Sequence, residues 1–380
     1  MKRKVYEQLL EWKNQEHHKP LILNGVRQCG KTYVLKEFGR QEFDSLAYVS
    51  CDRNVNLQAI YSGDFDVARI IQGLSALTGV DIIPGKTLIF LDEVQAFPQA
   101  LEALKYFCED APEYHIVVAG SLLGVALHAG VSFPVGKVQT LRLFPMDFEE
   151  FLMAMGEEQL LKLMHSHDYE LMNAFHEKLK DLLRQYYYVG GMPEVVKAFA
   201  ENKLLNQVRS LQNEILSNYA SDFSKHAPSQ EVPRIDMVWQ SILGQLSKEN
   251  KKFVYGVLKK GGRAKEFELA IQWLVDAGLV YKITKVSKPE LPLKFYEDLS
   301  AFKLYLCDCG LMGAMLIRLP RRFFWVMRYL LNIKELLRNS MCCSSCLHPD
   351  CSIFIITVPI LLVWKWIFCF SVMVSYCLLR

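Results

Sequence analysis

Near its N-terminus the chain reads Gly25-Val26-Arg27-Gln28-Cys29-Gly30-Lys31-Thr32, between a short apolar run and a helical pattern that reaches Gly39. This stretch fits the phosphate-binding pattern G-x-x-x-x-G-K-[ST]. Glycines at its two ends let the backbone turn tightly, so that successive N–H groups point at phosphate oxygens. The following helix adds the positive end of its dipole. We therefore expect all eight residues to bind nucleotide phosphates, with Lys31 at the β- and γ-phosphates and Thr32 as a Mg²⁺ ligand.

Two carboxylates, Asp92 and Glu93, follow the buried strand Thr87-Leu88-Ile89-Phe90-Leu91. Ligands of parallel α/β sheets bind at the carboxyl ends of the strands. Asp92 is expected to hold Mg²⁺ through water, and Glu93 to orient and deprotonate an attacking water. Such a pair can also simply cap the next helix. Its position about sixty residues after a phosphate loop favours the catalytic interpretation.

For other polar residues near these motifs, the sequence allows either a functional or a structural role. Ser121, at the tip of the strand that begins at His115, either contacts the γ-phosphate or the attacking water, or makes a turn. Lys137 and Arg142 are candidates for a cation that acts on a neighbouring copy's nucleotide, or are solvated charges. Cys29 is expected to contribute its backbone, and Cys307 and Cys309 are expected to be buried thiols, because their spacing does not match paired zinc ligands.

The alternation of strands and helices predicts the fold class. Five apolar segments from Leu21 to Phe144 alternate with helical patterns, which favours a parallel sheet covered on both faces. Residues 1–150 are expected to form this nucleotide domain and 151–230 a helical region. Residues 231–315, with three short helices and extended segments near Leu279–Ile283, Phe295 and Leu304, suggest a winged-helix-like module.

The motifs together resemble the AAA-like P-loop ATPases of the AAA_14 type, whose C-terminal region is a DUF4143-type domain. The resemblance covers about residues 1–315 and rests on the phosphate loop, Ile89-Phe90-Leu91-Asp92-Glu93-Val94-Gln95, Ala119-Gly120-Ser121 and three further stretches. These are Ser132-Phe133-Pro134-Val135-Gly136-Lys137, Leu143-Phe144-Pro145-Met146-Asp147-Phe148-Glu149-Glu150-Phe151 and Gly190-Gly191-Met192-Pro193-Glu194. The resemblance implies ATP binding and hydrolysis. Many members carry Arg where this chain has Lys137, and Lys lacks the planar fork of Arg.

The composition changes abruptly near Met315. The chain has 380 residues, 51% hydrophobic and 22% charged, with a net charge of +3, so its composition excludes a disordered chain or a small disulfide scaffold. Six of its eleven cysteines fall in residues 316–380, together with two acids and eight Lys or Arg. A one-nucleotide shift of the reading frame restores a sequence similar to the family's expected continuation. We therefore interpret 316–380 as an out-of-frame tail, in preference to a zinc site or a membrane helix at 352–379.

These observations leave two hypotheses of function. The first is an ATPase that converts ATP and water to ADP and phosphate and couples this to a conformational change. The second is a nucleotide-gated switch that binds DNA or a protein partner through 231–315. A basic cluster, Lys251, Lys252, Lys259, Lys260, Arg263 and Lys265, makes DNA a candidate, with a solvated surface as the alternative. The sequence does not decide between a monomer and a homo-oligomer. Without an apolar core at residues 1–10, we expect a cytoplasmic protein with no evolved membrane partner.

Overall fold

The computed structural model describes residues 1–52, 54–121, 134–246, 252–288, 290 and 292–317. The chain divides into two compact units. The first comprises Met1–Met146, Met192–Glu194 and Gln272–Leu279. The second comprises Asp147–Gly191, Val195–Ile271 and the residues from Val280 onward. The out-of-frame interpretation concerns residues that, from 318 onward, lie outside the described part of the chain.

The first unit is a parallel α/β fold, as predicted. Its helices and strands, in chain order, are α1 Val5–Lys13, β1 Leu21–Gly25, α2 Lys31–Glu42, β2 Ser45–Ser50, α3 Asn56–Ile60, α4 Val67–Thr78, β3 Thr87–Asp92, α5 Pro98–Asp110, β4 His115–Gly120 and β5 Gln139–Leu143. The strands form one sheet in the order β2-β3-β4-β1-β5, and every neighbouring pair is parallel. Strand β4 therefore lies between the strand that leads into the phosphate loop and the strand that ends at Asp92.

The sheet is covered by helices because its central strands are apolar on both faces. All residues of β3 and β4 are buried, as expected for parallel strands between two helical layers. On one face, alternate side chains of four strands pack with the buried sides of α4 and α5. The Asp66 side chain accepts a hydrogen bond from Ala68 N–H and caps the start of α4. Gly79, with φ +69°, ends the helix. These two residues fix the length of the apolar face that α4 presents to the sheet.

The second unit begins with a run of helices, again as predicted. These are α6 Phe148–Ala154, α7 Glu158–His165, α8 Tyr169–Ala174, α9 His176–Val189, α10 Pro193–Asn202, α11 Leu205–His226, α12 Val232–Leu246 and α13 Ala264–Asp276, of which α10 and α13 include residues of the first unit. Asp147 and Glu150 form a capping box that starts α6. Pro193 opens α10 one residue after the Gly190-Gly191 turn, where a missing N–H costs nothing.

A two-stranded antiparallel sheet follows the helices. It pairs β6 Val280–Val286 with β7 Glu297–Leu306, and α14 Cys309–Ile317 follows it. The expectation of an extended segment at Phe295 was wrong: Leu293–Tyr296 is a 3-10 turn, and Phe295 is 82% exposed, so its side chain has no core to pack into. The winged-helix assignment stays a prediction. Among the described residues, no helix combines the length and apolar character needed to cross a bilayer.

A buried carboxylate joins two parts of the second unit. Asp308, 2% exposed, accepts hydrogen bonds from Gly191 N–H at 2.6 Å and from Leu311 N–H at 2.8 Å. A Cβ on Gly190, whose φ is +76°, would lie 2.3 Å from an Asp308 oxygen, so the turn requires glycine at this position. Desolvation raises the pKa of Asp308 to about 6, although these N–H donors favour the charged form.

This raised pKa gives the unit a distinct pH dependence. The unfolded chain releases the Asp308 proton near pH 4, whereas the folded chain keeps it until about pH 6. The folded state therefore binds more protons in this window, and the free energy of unfolding should fall as the pH rises through it, by roughly 1.4 kcal/mol for each pH unit that separates the two pKa values. We expect Asp308→Asn to remove this decline. Denaturant titrations of both proteins between pH 4 and 7 measure the difference, and parallel curves would contradict the assignment.

Candidate functional site

The phosphate loop has the backbone that its glycines predict. Strand β1 ends at Gly25 and α2 begins at Lys31. Gly30 has φ +93° and Gln28 has φ +66°, both in the left-handed region. A Cβ on Gly25 would lie 2.3 Å from the carbonyl oxygen of Leu143, which cannot move because it belongs to β5. Glycine is therefore required at both ends of the loop, for backbone conformation at one and for close packing at the other.

Lys31 lies in the first turn of α2 with its ammonium turned back into the loop. Its Nζ donates to the carbonyl oxygens of Gly25 at 2.8 Å and Val26 at 3.0 Å, and the residue is 6% exposed. An ammonium has three hydrogens, and these two bonds use two of them. The third remains for an anion at the N-terminus of α2, where the helix dipole also favours negative charge.

Thr32 and Asp92 meet across sixty residues of sequence. The Thr32 hydroxyl donates to Asp92 Oδ2 at 2.8 Å, Tyr48 OH lies 3.3 Å from the same oxygen, and Glu93 N–H donates to Oδ1 at 3.1 Å. Burial raises the pKa of Asp92, while the Thr32 bond acts in the opposite direction. A hydroxyl and a carboxylate side by side are oxygen ligands of the kind that Mg²⁺ uses, so these residues fit the metal.

Glu93 and Ser121 are also in contact. Ser121 follows β4 directly, and its hydroxyl donates to Glu93 Oε2 at 3.2 Å. Glu93 has φ +51°, uncommon for a residue with a side chain, and the chain turns there into a 3-10 turn at Val94–Ala96. Gln95, in that turn, donates to the same Glu93 oxygen. The three sequence motifs therefore converge at the carboxyl ends of β1, β3 and β4.

The two candidate cations are engaged within their own unit. Lys137 forms an ion pair with Glu109 at 2.8 Å, and both side chains are partly exposed. The guanidinium of Arg142 lies 5.2 Å from the ring centre of Phe144. A role for either of them on a neighbouring copy stays a prediction.

The cysteines of the described residues have structural environments. Cys29 is buried, and its thiol lies 3.6 Å from the carbonyl oxygen of Leu143. Cys307 and Cys309 are buried and free, and burial raises the pKa of Cys309. In the part of the chain that the structure describes, no three His, Cys, Asp or Glu side chains come together as a metal site.

Two residues at this site have no signal in the sequence. The Arg3 guanidinium is buried and donates to the carbonyl oxygen of Cys29, inside the phosphate loop, at 2.9 Å and to that of Phe144 at 2.5 Å. Tyr48, at the Asp92 carboxylate, lies on β2 and also receives the ammonium of Lys36 3.5 Å from its ring centre. Neither residue belongs to a motif, and only the folded chain brings them to the loop and the carboxylate.

The comparisons with known proteins match the two halves of the chain separately. The family described as "AAA domain" matches residues 17–152. A domain of unknown function, DUF8612, matches residues 180–321. The C-terminal match is therefore to a domain other than the DUF4143-type domain expected from the sequence, which the comparisons do not show. No curated protein matches the chain.

Among solved structures, the chain is similar to the Walker-type ATPase PABY2304 of Pyrococcus abyssi. The identity is 12% and the TM-score 0.52, over 83% of this chain and 95% of that one. Drosophila ORC bound to DNA has 14% identity and a TM-score of 0.33 over 83% and 95%. The Pif1 helicase from Candida albicans has 12% identity and a TM-score of 0.25 over 42% of each chain. The first similarity concerns the fold.

The sheet and the family match together define the class of the first unit. It has an α/β P-loop NTPase fold, and residues 17–152 match the family described as "AAA domain".

The Arg3 contacts predict that this N-terminal residue shapes the phosphate loop. Arg3→Ala removes two charge-assisted hydrogen bonds and leaves the Cys29 carbonyl without that donor. We expect the free energy of unfolding to fall by about 2–3 kcal/mol and nucleotide affinity to fall by about ten-fold or more. Arg3→Lys should be intermediate, because an ammonium lacks the fork that spans both carbonyls. Calorimetry measures the nucleotide affinity, and denaturant titration measures the free energy of unfolding. Lys4→Ala, at an exposed neighbouring position, is the control. Wild-type affinity in Arg3→Ala would contradict this role.

Proposed function

We propose that the chain binds ATP with Mg²⁺ and hydrolyses it to ADP and phosphate. The observation that carries the proposal is the pairing of Thr32 with Asp92 and of Ser121 with Glu93, within hydrogen-bond distance, beside the phosphate loop. A loop that only turned the chain would need neither pair. Phosphoryl transfer depends mainly on positioning and on compensation of charge, and this set of residues supplies both.

Each residue has a distinct role in the proposed reaction. The N–H groups of residues 25–32 and the third hydrogen of Lys31 bind the β- and γ-phosphates. Thr32 and, through water, Asp92 would hold Mg²⁺, which when bound draws charge from the phosphate oxygens. Glu93 removes a proton from water as the water oxygen bonds to the γ-phosphorus. The bond between that phosphorus and the bridging oxygen breaks, and ADP leaves with the electron pair. Ser121 orients Glu93 or the γ-phosphate.

A nucleotide-gated switch is the alternative, in which ATP is held with little turnover. Multiple-turnover kinetics separate the two: a hydrolase releases many equivalents of phosphate per chain, and a switch about one.

Two substitutions test the site. Lys31→Ala should abolish nucleotide binding, because it removes the cation between the terminal phosphates. Glu93→Gln should retain MgATP but lose about 10²–10⁴-fold in kcat, because an amide cannot accept the proton. Lys105→Ala and Glu113→Gln, at exposed positions, are the matched controls. Unchanged turnover in Glu93→Gln would remove it as the base.

We further propose DNA as a partner of the second unit, on the basis of its charge. Lys252, Lys259, Lys260, Arg263 and Lys265 are all exposed, and the last four lie within five residues of Ala264, where α13 begins. Lys259 is paired with Glu266 at 3.4 Å across an exposed surface, where such a pair contributes little. Lys251 lies outside the described residues. Exposed cations close together, beside the N-terminus of a helix, provide the chemistry that contacts phosphates.

Binding through this cluster should depend on salt. We expect log K to fall linearly with log salt, by about 0.9 for each phosphate contact, and Lys259→Glu with Lys260→Glu to weaken binding to all sequences alike and to lower that slope. Fluorescence anisotropy with duplexes of different sequence measures both quantities. The matched control reverses the half-buried Lys180 and the exposed Lys197, which lie on other helices of the region. No binding at low salt, or binding without salt dependence, would favour a protein partner.

A further inference from the structure

The side chain of Gln95 contacts Glu93, and the proposed reaction gives this contact no role. Its Nε2 donates to Glu93 Oε2, the oxygen that also accepts from Ser121 Oγ at 3.2 Å. Two donors on one carboxylate oxygen fix the rotation of the carboxylate. The other oxygen of the Glu93 carboxylate, Oε1, is then the one that can accept a proton.

The turn that carries Gln95 is held in place by its own backbone and core contacts. Ala96 N–H donates to Glu93 O and Phe97 N–H to Val94 O, each at 3.0 Å. Val94 is fully buried, and α5 starts at Pro98. The left-handed backbone at Glu93 directs the chain back on itself, so that a side chain two residues later reaches the carboxylate. Gln95 therefore holds Glu93 from a rigid element, as a positioning group must.

The other end of the Gln95 amide supports a functional role. Its Oε1 is buried and has no hydrogen-bond partner among the described residues. The opposite orientation of the amide would place that oxygen against a carboxylate, so the bond to Glu93 decides which way the amide points. An amide kept only to close the turn would not need to bury an acceptor in this way.

We propose that Gln95 is the positioning residue for the water-activating carboxylate. Through Nε2 it holds Glu93 with Oε1 ready to accept a proton. This inference rests on the proposed ATP hydrolysis and assigns to Gln95 a part of it.

The experiment compares MgATP turnover of the full chain with that of Gln95→Met and Gln95→Glu. Met keeps the length of the side chain but neither donates nor accepts strongly, and we expect kcat to fall about ten-fold or more with the KM for ATP within about two-fold. Glu keeps the shape of the side chain but replaces the N–H donor with a second carboxylate beside Glu93, so we expect kcat to fall at least as far as in Gln95→Met. Gln99→Leu, at the half-buried start of α5, is the matched control.

The readouts separate this role from a structural one and from failure of the ATPase itself. Wild-type kcat in both Gln95→Met and Gln95→Glu would overturn the proposal while leaving hydrolysis intact. The proposal would also be overturned if the loss of activity in these variants came from a higher KM, or if it matched the fraction of unfolded protein. Gln95 would then serve only to stabilise the turn. If the wild-type chain binds MgATP but releases no phosphate in multiple turnover, the proposed hydrolysis fails, and the Gln95 role fails with it.

Discussion

The hydrogen bond between Thr32 and Asp92 connects the two halves of the site, and it exists only if the whole sheet is in register. Thr32 is placed by the start of α2, and Asp92 by a strand that is buried on both faces. Strand β4 lies between their two strands, so a register slip of one residue in either β3–β4 or β1–β4 would separate the pair. The same intervening strand delivers Ser121 to Glu93. The core between the strands and their helices is thus what fixes the geometry of the polar groups.

A loop that points its N–H groups at an anion must find donors for its carbonyl groups elsewhere. Here Lys31 satisfies the carbonyls of Gly25 and Val26 from inside the loop, and Arg3 satisfies that of Cys29 from a distant part of the chain. Both donors are cations, so each bond that holds the loop also adds positive charge near the anion. Stability of the loop and affinity for phosphate are therefore expected to change together.

What the sequence could predict was the local part of this arrangement. Local patterns that need no knowledge of the fold mark Gly25, Gly30, the apolar run before Asp92 and the strand before Ser121. The five strands of the parallel sheet were each located within a residue or two. Arg3, Tyr48 and Asp308 could not be found, because their roles depend on contacts across the fold. Phe295 was misassigned since an aromatic residue favours a strand only where a core receives it. The winged-helix module and the domain boundaries stay predictions.

The balance of charge explains why the two carboxylates can share this small, partly buried site. Burial raises the pKa of Asp92, and the neighbouring Glu93 adds to this effect because like charges repel. The hydroxyl of Thr32, the Glu93 N–H and Tyr48 offset part of that cost with hydrogen bonds, but none of them carries a positive charge. Lys31, the cation of the same loop, has two of its hydrogens on carbonyl groups. Electrostatically, such a site is most stable when a divalent cation and a polyphosphate enter together, because the metal compensates the carboxylates and the loop compensates the phosphates. Cooperative binding of metal and nucleotide is therefore the behaviour expected from these residues.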